Sequence, residues 1–280
     1  MREICVTELE KMVYSLCLKA NRILPPDVMV ALQDATKREA DERGKTILSL
    51  LVENAQQAED EEIAICQDTG QVVVFLDIGQ EVHFVGGSIT DAVNAGIRLA
   101  YADGYFRNSI VSDPLIRMNS GDNTPGVIIY EMIPGDSVKI TIMPKGFGSE
   151  NMSGIKMLKP AEGIEGIKQF VLDQIRKAGG NPCPPIIVGI GIGGTMDKAA
   201  VMAKRALLRE IGSMHPDHHI AVLEQELLDE INQTGIGPGG LGGQTTALSV
   251  QIETYPTHIA GLPVAINIGC HAARHACGSI

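Results

Sequence analysis

Three cysteines sit in turns rather than inside regular elements. Cys66 lies in Cys66-Gln67-Asp68-Thr69-Gly70, Cys183 in Asn181-Pro182-Cys183-Pro184-Pro185, and Cys270 in Asn267-Ile268-Gly269-Cys270-His271. Free cysteines that only fill a core prefer buried element interiors. The prolines beside Cys183 remove backbone donors and stiffen that loop. Loops of this kind can offer a thiolate to a metal. The separations of 117 and 87 residues match no local zinc or ferredoxin spacing, so spacing alone leaves ligand and structural roles both open. Three thiolate ligands would carry a specific meaning. They leave one corner of an iron–sulfur cubane open, and an open iron can act as a Lewis acid on a hydroxy acid. An elimination at such a site also needs a base, and cationic or N–H groups to hold developing charge. A Gly-rich loop, Lys145-Gly146-Phe147-Gly148-Ser149-Glu150-Asn151, is a fourth candidate.

These loops need elements to place them. Leu9, Met12, Val13, Leu16, Cys17 and Ala20 recur at helical spacing, so the first 62 residues read as a helical subregion with later helices after Pro25-Pro26 and over about 46–61. Cys17 falls on the apolar stripe and reads as core; Cys5 belongs to the same region. Beyond residue 62, strand-like runs at 72–76 and 82–85 look like a hairpin. A helix is expected at about 90–102, strands at 126–133 and 137–143 joined by a Pro134-Gly135-Asp136 turn, and a helix at 161–178. A strand at 185–190, helices at 196–211 and 215–233, and strands at 246–253 and 263–268 complete the pattern. The expected class is α+β: a helical N-terminal layer packed on a mixed β-sheet body, one compact domain over residues 1–280.

Bulk composition narrows the function. The 280 residues carry 23 Lys+Arg against 34 Asp+Glu, a net charge of −11 that suits neither nucleic acid nor an anionic membrane surface. An anionic substrate would therefore need a local cluster of cations and N–H groups. The N-terminal stretch lacks the apolar core of a signal peptide, and no run approaches the roughly 20 apolar residues of a membrane span. The expected location is cytoplasmic, where thiols stay reduced and cysteines read as ligands or core before disulfides.

Taken together, CQDTG at 66–70, GFGSEN at 146–151, CPP at 183–185, IGGT at 192–195 and the Gly-Cys with its Arg-containing turn at 269–274 resemble the class I fumarases and the related L-tartrate dehydratases. The motifs keep the family's order and span most of the chain, and the length resembles the α subunit of the two-subunit form. The resemblance implies a [4Fe–4S] cluster on Cys66, Cys183 and Cys270. It places Gln67 and Asp68 at the substrate, with Asp68 near the proton that moves. It makes Arg107 a carboxylate binder, Gly148 or the Gly146–Ser149 backbone a donor of N–H bonds, and His258 a site histidine. It implies a hydro-lyase interconverting malate and fumarate, or acting on tartrate, with a β subunit supplying the rest of the site for its dicarboxylate substrate. A further self-dimer is left open. The family's Gly-Gly-Gly run reads Gly146-Phe147-Gly148 here, and the turn after the third cysteine reads His271-Ala272-Ala273-Arg274.

Rival patterns exist. Gly189-Ile190-Gly191-Ile192-Gly193-Gly194 fits a dinucleotide fingerprint, but no strand with a terminal acid follows about 20 residues on. His215, His218 and His219 could bind a metal, although neighbouring histidines in a polar turn are usually solvated. His271 and His275 flank Cys270. Cys277 competes with Cys270 for the third ligand position, near an end expected to fray. A fourth ligand there would instead make the chain a cluster-bearing sensor or electron carrier.

Overall fold

A computed structural model describes residues 1–280. In chain order the elements are β1 (Arg2–Cys5), α1 (Val6–Arg22), α2 (Pro26–Arg38), α3 (Glu42–Asp60), β2 (Gln71–Gly79), β3 (Val82–Val85), α4 (Ile89–Asp103), β4 (Val127–Ile133) and β5 (Val138–Lys145). They continue with α5 (Phe147–Glu150), β6 (Gly154–Leu158), α6 (Gly163–Ala178), β7 (Ile186–Gly193), α7 (Met196–Ala206), α8 (His218–Asn232), β8 (Ala247–Tyr255), β9 (Leu262–Gly269) and β10 (Ala276–Ser279). The fold is α+β, and no helix is long and apolar enough to cross a membrane. The chain clusters into two compact units. One holds Met1–Pro25, Ala55–Phe147 and Arg274–Ile280, and the other Pro26–Asn54 and Gly148–Ala273. The helices expected over the first 62 residues all form, with α1 in the first unit, α2 in the second, and the division falling within α3.

The first unit is built on a sheet of order β10-β5-β2-β4. Val72, Val74 and Leu76 of β2 and Val138, Ile140 and Ile142 of β5 share a core with Leu9, Val13, Leu16 and Cys17 of α1 and Val93, Ile97 and Tyr101 of α4. The apolar stripe on α1 is what buries that helix, and Cys17 sits in the core as expected. Burial pushes its thiol up, away from the thiolate a ligand needs. Two pairings depart from expectation. β3 does not form a hairpin with β2; it runs parallel to β1, a strand the sequence pattern did not suggest. β2 also inserts between β4 and β5, parallel to the first and antiparallel to the second. The C-terminal residues do not fray, because β10 pairs antiparallel with β5.

The second unit has a sheet of order β6-β9-β7-β8 with helices on both faces. Ile186, Val188 and Ile190 pack with Val171 and Ile175 of α6 and Leu223 and Leu227 of α8. The alternate positions of β7 are glycines facing α7. A Cβ on Gly189 would lie 2.1 Å from Ala203 O, and one on Gly191 2.1 Å from Ala199 O. The apparent dinucleotide fingerprint is thus a period-two strand pattern, isoleucine on one face and glycine on the other, that lets α7 sit directly on the strand.

Candidate active site

The candidate residues of the first unit gather on the loop between α3 and β2. Gly70, at φ +68, ends it; a Cβ there would stand 2.5 Å from the Lys145 backbone, so only glycine lets the loop lie against β5. Three successive carbonyls of the loop each accept a side-chain donor. Arg274 Nη2 donates to Asp68 O, Tyr101 Oη to Thr69 O at 2.6 Å, and Asn123 Nδ2 to Gly70 O at 3.1 Å. Burial pushes the Tyr101 phenol up, so its hydroxyl remains a donor. The Asp68 carboxylate is aimed as well: Oδ1 accepts from Gly70 N at 3.0 Å and Oδ2 from Phe147 N at 2.9 Å. Each oxygen keeps a lone pair for a further partner. Gln67 is exposed, and its Oε1 lies 3.4 Å from Cys66 Sγ.

Arg107 is tied to the same loop through its main chain, since Thr69 Oγ1 donates to Arg107 O at 2.9 Å. Its side chain is exposed. The segment that carries it is pinned by asparagines: Ser109 N donates to Asn123 Oδ1 at 2.7 Å, and Asn119 Nδ2 to Asn108 O at 2.9 Å. Cys277 also belongs to this unit, but on β10, where its Sγ lies 3.3 Å from Thr141 Oγ1 within the sheet.

The second unit brings the other two cysteine loops together. Cys183 precedes β7 and Cys270 follows β9, and these strands pair antiparallel with Ile187 opposite Gly269. His271 N and His271 Nδ1 both donate to Cys183 O, at 3.4 and 3.0 Å. Cys183 itself is held at φ +55, a left-handed conformation uncommon outside glycine. Its loop hangs on the Gly-rich run that follows α8: Gly239 N donates to Pro184 O at 2.8 Å, and Gly180 packs backbone on backbone with Gly240. That run is anchored in turn by Glu39, buried at 5% exposure. Its carboxylate accepts from Gln244 N at 3.0 Å, Thr245 N at 2.9 Å and Asp41 N at 3.1 Å. Burial works to raise the Glu39 pKa, but these N–H donors outweigh it and hold the acid below its ordinary value.

Gly148 reaches the same region, its Cα facing Asn181 O, and is exposed, whereas Ser149 is buried at the start of the turn to β6. Of the expected N–H donors in the Gly146–Ser149 run, Phe147 is already spent on Asp68. His258 is not brought to the cysteines of its unit. It lies exposed in the connection before β9, and that strand, at about 3.3 Å per residue, puts roughly 23 Å between its own end and the Cys270 end. His215 Nδ1 accepts from Asp217 N at the start of α8. No two of the six cysteines are joined in a disulfide; Cys66 and Cys270 are half-buried and Cys183 is exposed.

The supports of the site were harder to read from sequence than its reactive groups. Arg274 left one signal, a lone charge in a run of small residues after Cys270. Tyr101, Asn123 and Glu39 left none, because each acts across 30 or more residues of chain.

Residues 10–279 match the family described as fumarate hydratase (Fumerase), and the chain belongs to that family. It is also similar to a Methanocaldococcus jannaschii protein provisionally named L(+)-tartrate dehydratase subunit alpha, at 46% identity over 275 residues, 96% of each chain. L(+)-tartrate dehydratase subunit alpha of Escherichia coli is 33% identical over 273 residues, 96% of this chain and 89% of that protein. The Shigella sonnei protein of the same name matches to the same extent. The family is one of hydro-lyases.

Proposed function

We propose that this chain is the α subunit of a [4Fe–4S]-dependent hydro-lyase that dehydrates a small hydroxy-dicarboxylate, with L-tartrate the leading substrate. The observation that carries this reading is the Cys66–Gly70 loop, which presents a thiol and, two residues on, a carboxylate aimed by two backbone N–H groups. The names of the relatives favour tartrate and a second, β subunit. The family's description keeps malate and fumarate as the second reading.

Cys66, Cys183 and Cys270 would hold the cluster. Three thiols on turns, none of them in a disulfide, are the donor class that iron–sulfur clusters take. No three His, Cys, Asp or Glu side chains gather around one metal ion, and a cubane does not ask for that, since each thiolate binds its own iron. When bound, the cluster supplies an open Lewis-acidic iron that polarises substrate oxygens. The remaining work falls to side chains and backbone. Asp68 takes the proton from the carbon beside a carboxylate through its remaining lone pairs, the C–H electron pair becomes the double bond, and the C–O pair departs with the hydroxide. That hydroxide, together with the proton taken up by Asp68, makes the water released. Arg107 and Gln67 hold a substrate carboxylate, the guanidinium by charge-assisted bonds. The backbone at Gly148 and Ser149 holds the other end. His258 is given no step.

The test is anaerobic reconstitution of the chain with iron and sulfide, then assay with its β subunit on L-tartrate and on L-malate. A brown protein that turns over tartrate faster than malate is expected. Faster malate turnover moves the assignment to the second reading, and no turnover of either acid defeats the enzyme class.

A further inference from the structure

Arg274 is a buried cation without a matching anion. Its residue exposure is 4%, and its Nε and Nη1 have no hydrogen-bond partner. Its one bond runs from Nη2 to Asp68 O, a neutral carbonyl. A guanidinium stays charged at any working pH. Burying one without a counter-charge is costly, and buried charges in proteins are as a rule paired or set against an ion. The other buried polar groups on this loop follow that rule: Asn123 uses both ends of its amide, and Tyr101 gives its hydroxyl to Thr69 O. The exception is the one formal charge, and it is bonded two residues from Cys66, at the loop that also carries Asp68.

We infer that Arg274 is a positioning residue whose charge is matched by the anions this loop gathers, the thiolate-held cluster first. The inference rests on the cluster reading given above. The guanidinium does two things at once. It fixes the Asp68 peptide, and with it the directions of the Asp68 carboxylate and of Cys66. It also places a positive charge behind a loop that carries one carboxylate and gains further negative charge on loading. The empty chain carries the electrostatic cost, and the loaded chain recovers it. Lysine would keep the charge but lose the planar fork; methionine would remove the charge and keep much of the volume.

The experiment compares wild type, Arg274→Met and Arg274→Lys as full chains, empty and anaerobically reconstituted. Three quantities are read: the melting temperature of the empty chain, the rate of iron loss to excess EDTA, and the reduction potential of the cluster. The empty Arg274→Met chain should melt at or above the wild-type temperature. Once loaded, it should lose iron about 10–100-fold faster, the range seen when outer partners of metal ligands are removed. Its cluster potential should fall, because a cation that favours the more negative, reduced state is gone. Arg274→Lys should keep the potential near wild type while losing iron at an intermediate rate. Wild-type iron loss and potential in Arg274→Met would overturn the inference alone. So would an empty Arg274→Met chain that melts well below both wild type and Arg274→Lys, since the charge would then serve the empty fold. A wild-type chain that takes up no iron would overturn the cluster reading and this inference with it.

Discussion

The Cys66–Gly70 loop and the Cys183–Pro185 loop each present a thiol from a turn, yet they are held by different means. In the first unit, side chains rooted in three separate segments, Arg274, Tyr101 and Asn123, each take one carbonyl of the loop. In the second, main-chain groups do most of the holding, with the His271 ring adding a side-chain bond to Cys183 O. Gly239 N–H binds Pro184 O, His271 N–H binds Cys183 O, and the Gly-rich run behind them hangs on the Glu39 carboxylate. Side-chain tethers can be altered one at a time with the rest left in place. A backbone scaffold built on close glycine contacts has no such slack, because its parts are peptide groups that move together. The unit with the candidate base is therefore the adjustable one, and the unit with two candidate ligands is the stiff one.

The sharpest way to break this comparison is at the ligands. Cys183→Ser should leave the reconstituted chain with less iron, unable to hold a full cubane, and inactive with its β subunit. Iron and sulfide analysis after desalting checks it, and full retention would remove Cys183 from the ligand set. Asp68→Asn is expected to act in the opposite way. It should keep wild-type iron while kcat falls about 10²–10⁴-fold, the usual contribution of a general base. If kcat stayed within threefold, the proton would be moved by another group, and the division of labour between the two loops would fail.

Glu39→Gln tests the scaffold of the second unit. Bonds to a charged acceptor are worth about 1.5–3 kcal/mol, and the amide keeps one acceptor oxygen, so a loss of about 2 kcal/mol at neutral pH is expected in urea unfolding. The sign of the pH dependence follows from the lowered folded-state pKa of Glu39. Its stabilisation is fully present above the unfolded value of about 4.3 and is lost as pH falls through the lowered folded value. The gap between wild type and Glu39→Gln should therefore be widest near pH 7 and close in acid. A gap that stays constant down through that window would mean the carboxylate charge is not what anchors the run.

What the sequence disclosed follows the range of each interaction. The stripe on α1, the helices and most strands were legible because period and turn residues are local signals. The reactive groups were legible because thiols, a carboxylate and glycines in turns are unusual in sequence. Strand order was not, since β2 inserts between β4 and β5 and β3 joins β1, pairings settled by which faces must be buried together. β6 and β10 were missed because Gly154-Ile155-Lys156-Met157-Leu158 and Ala276-Cys277-Gly278-Ser279 are short and carry few of the β-branched and aromatic residues that made 82–85 readable. The glycines of β7 were legible as a pattern but ambiguous in cause, because a phosphate loop and a helix seated on a strand both need small residues there.

The smallest expected effect is the most pointed test of adjustability. Tyr101→Phe removes the O–H donor to Thr69 O and the hydroxyl's bond with the buried Asn21 side chain, while the ring keeps its edge-to-face packing on Phe106 at 5.4 Å between centroids. If the three tethers act independently, Arg274 and Asn123 still hold Asp68 O and Gly70 O, and the cost at the loop is that of one neutral hydrogen bond, about 1 kcal/mol. The loaded chain should keep its iron, and kcat should change by no more than about threefold. That follows because the Asp68 oxygens are aimed by Gly70 and Phe147 rather than by Tyr101. A loss larger than that of Glu39→Gln, or a kcat that drops with Asp68→Asn, would show that the tethers form one cooperative network. The first unit would then be as stiff as the second, and the contrast between a tunable loop and a fixed one would dissolve at the residue where it should be easiest to see.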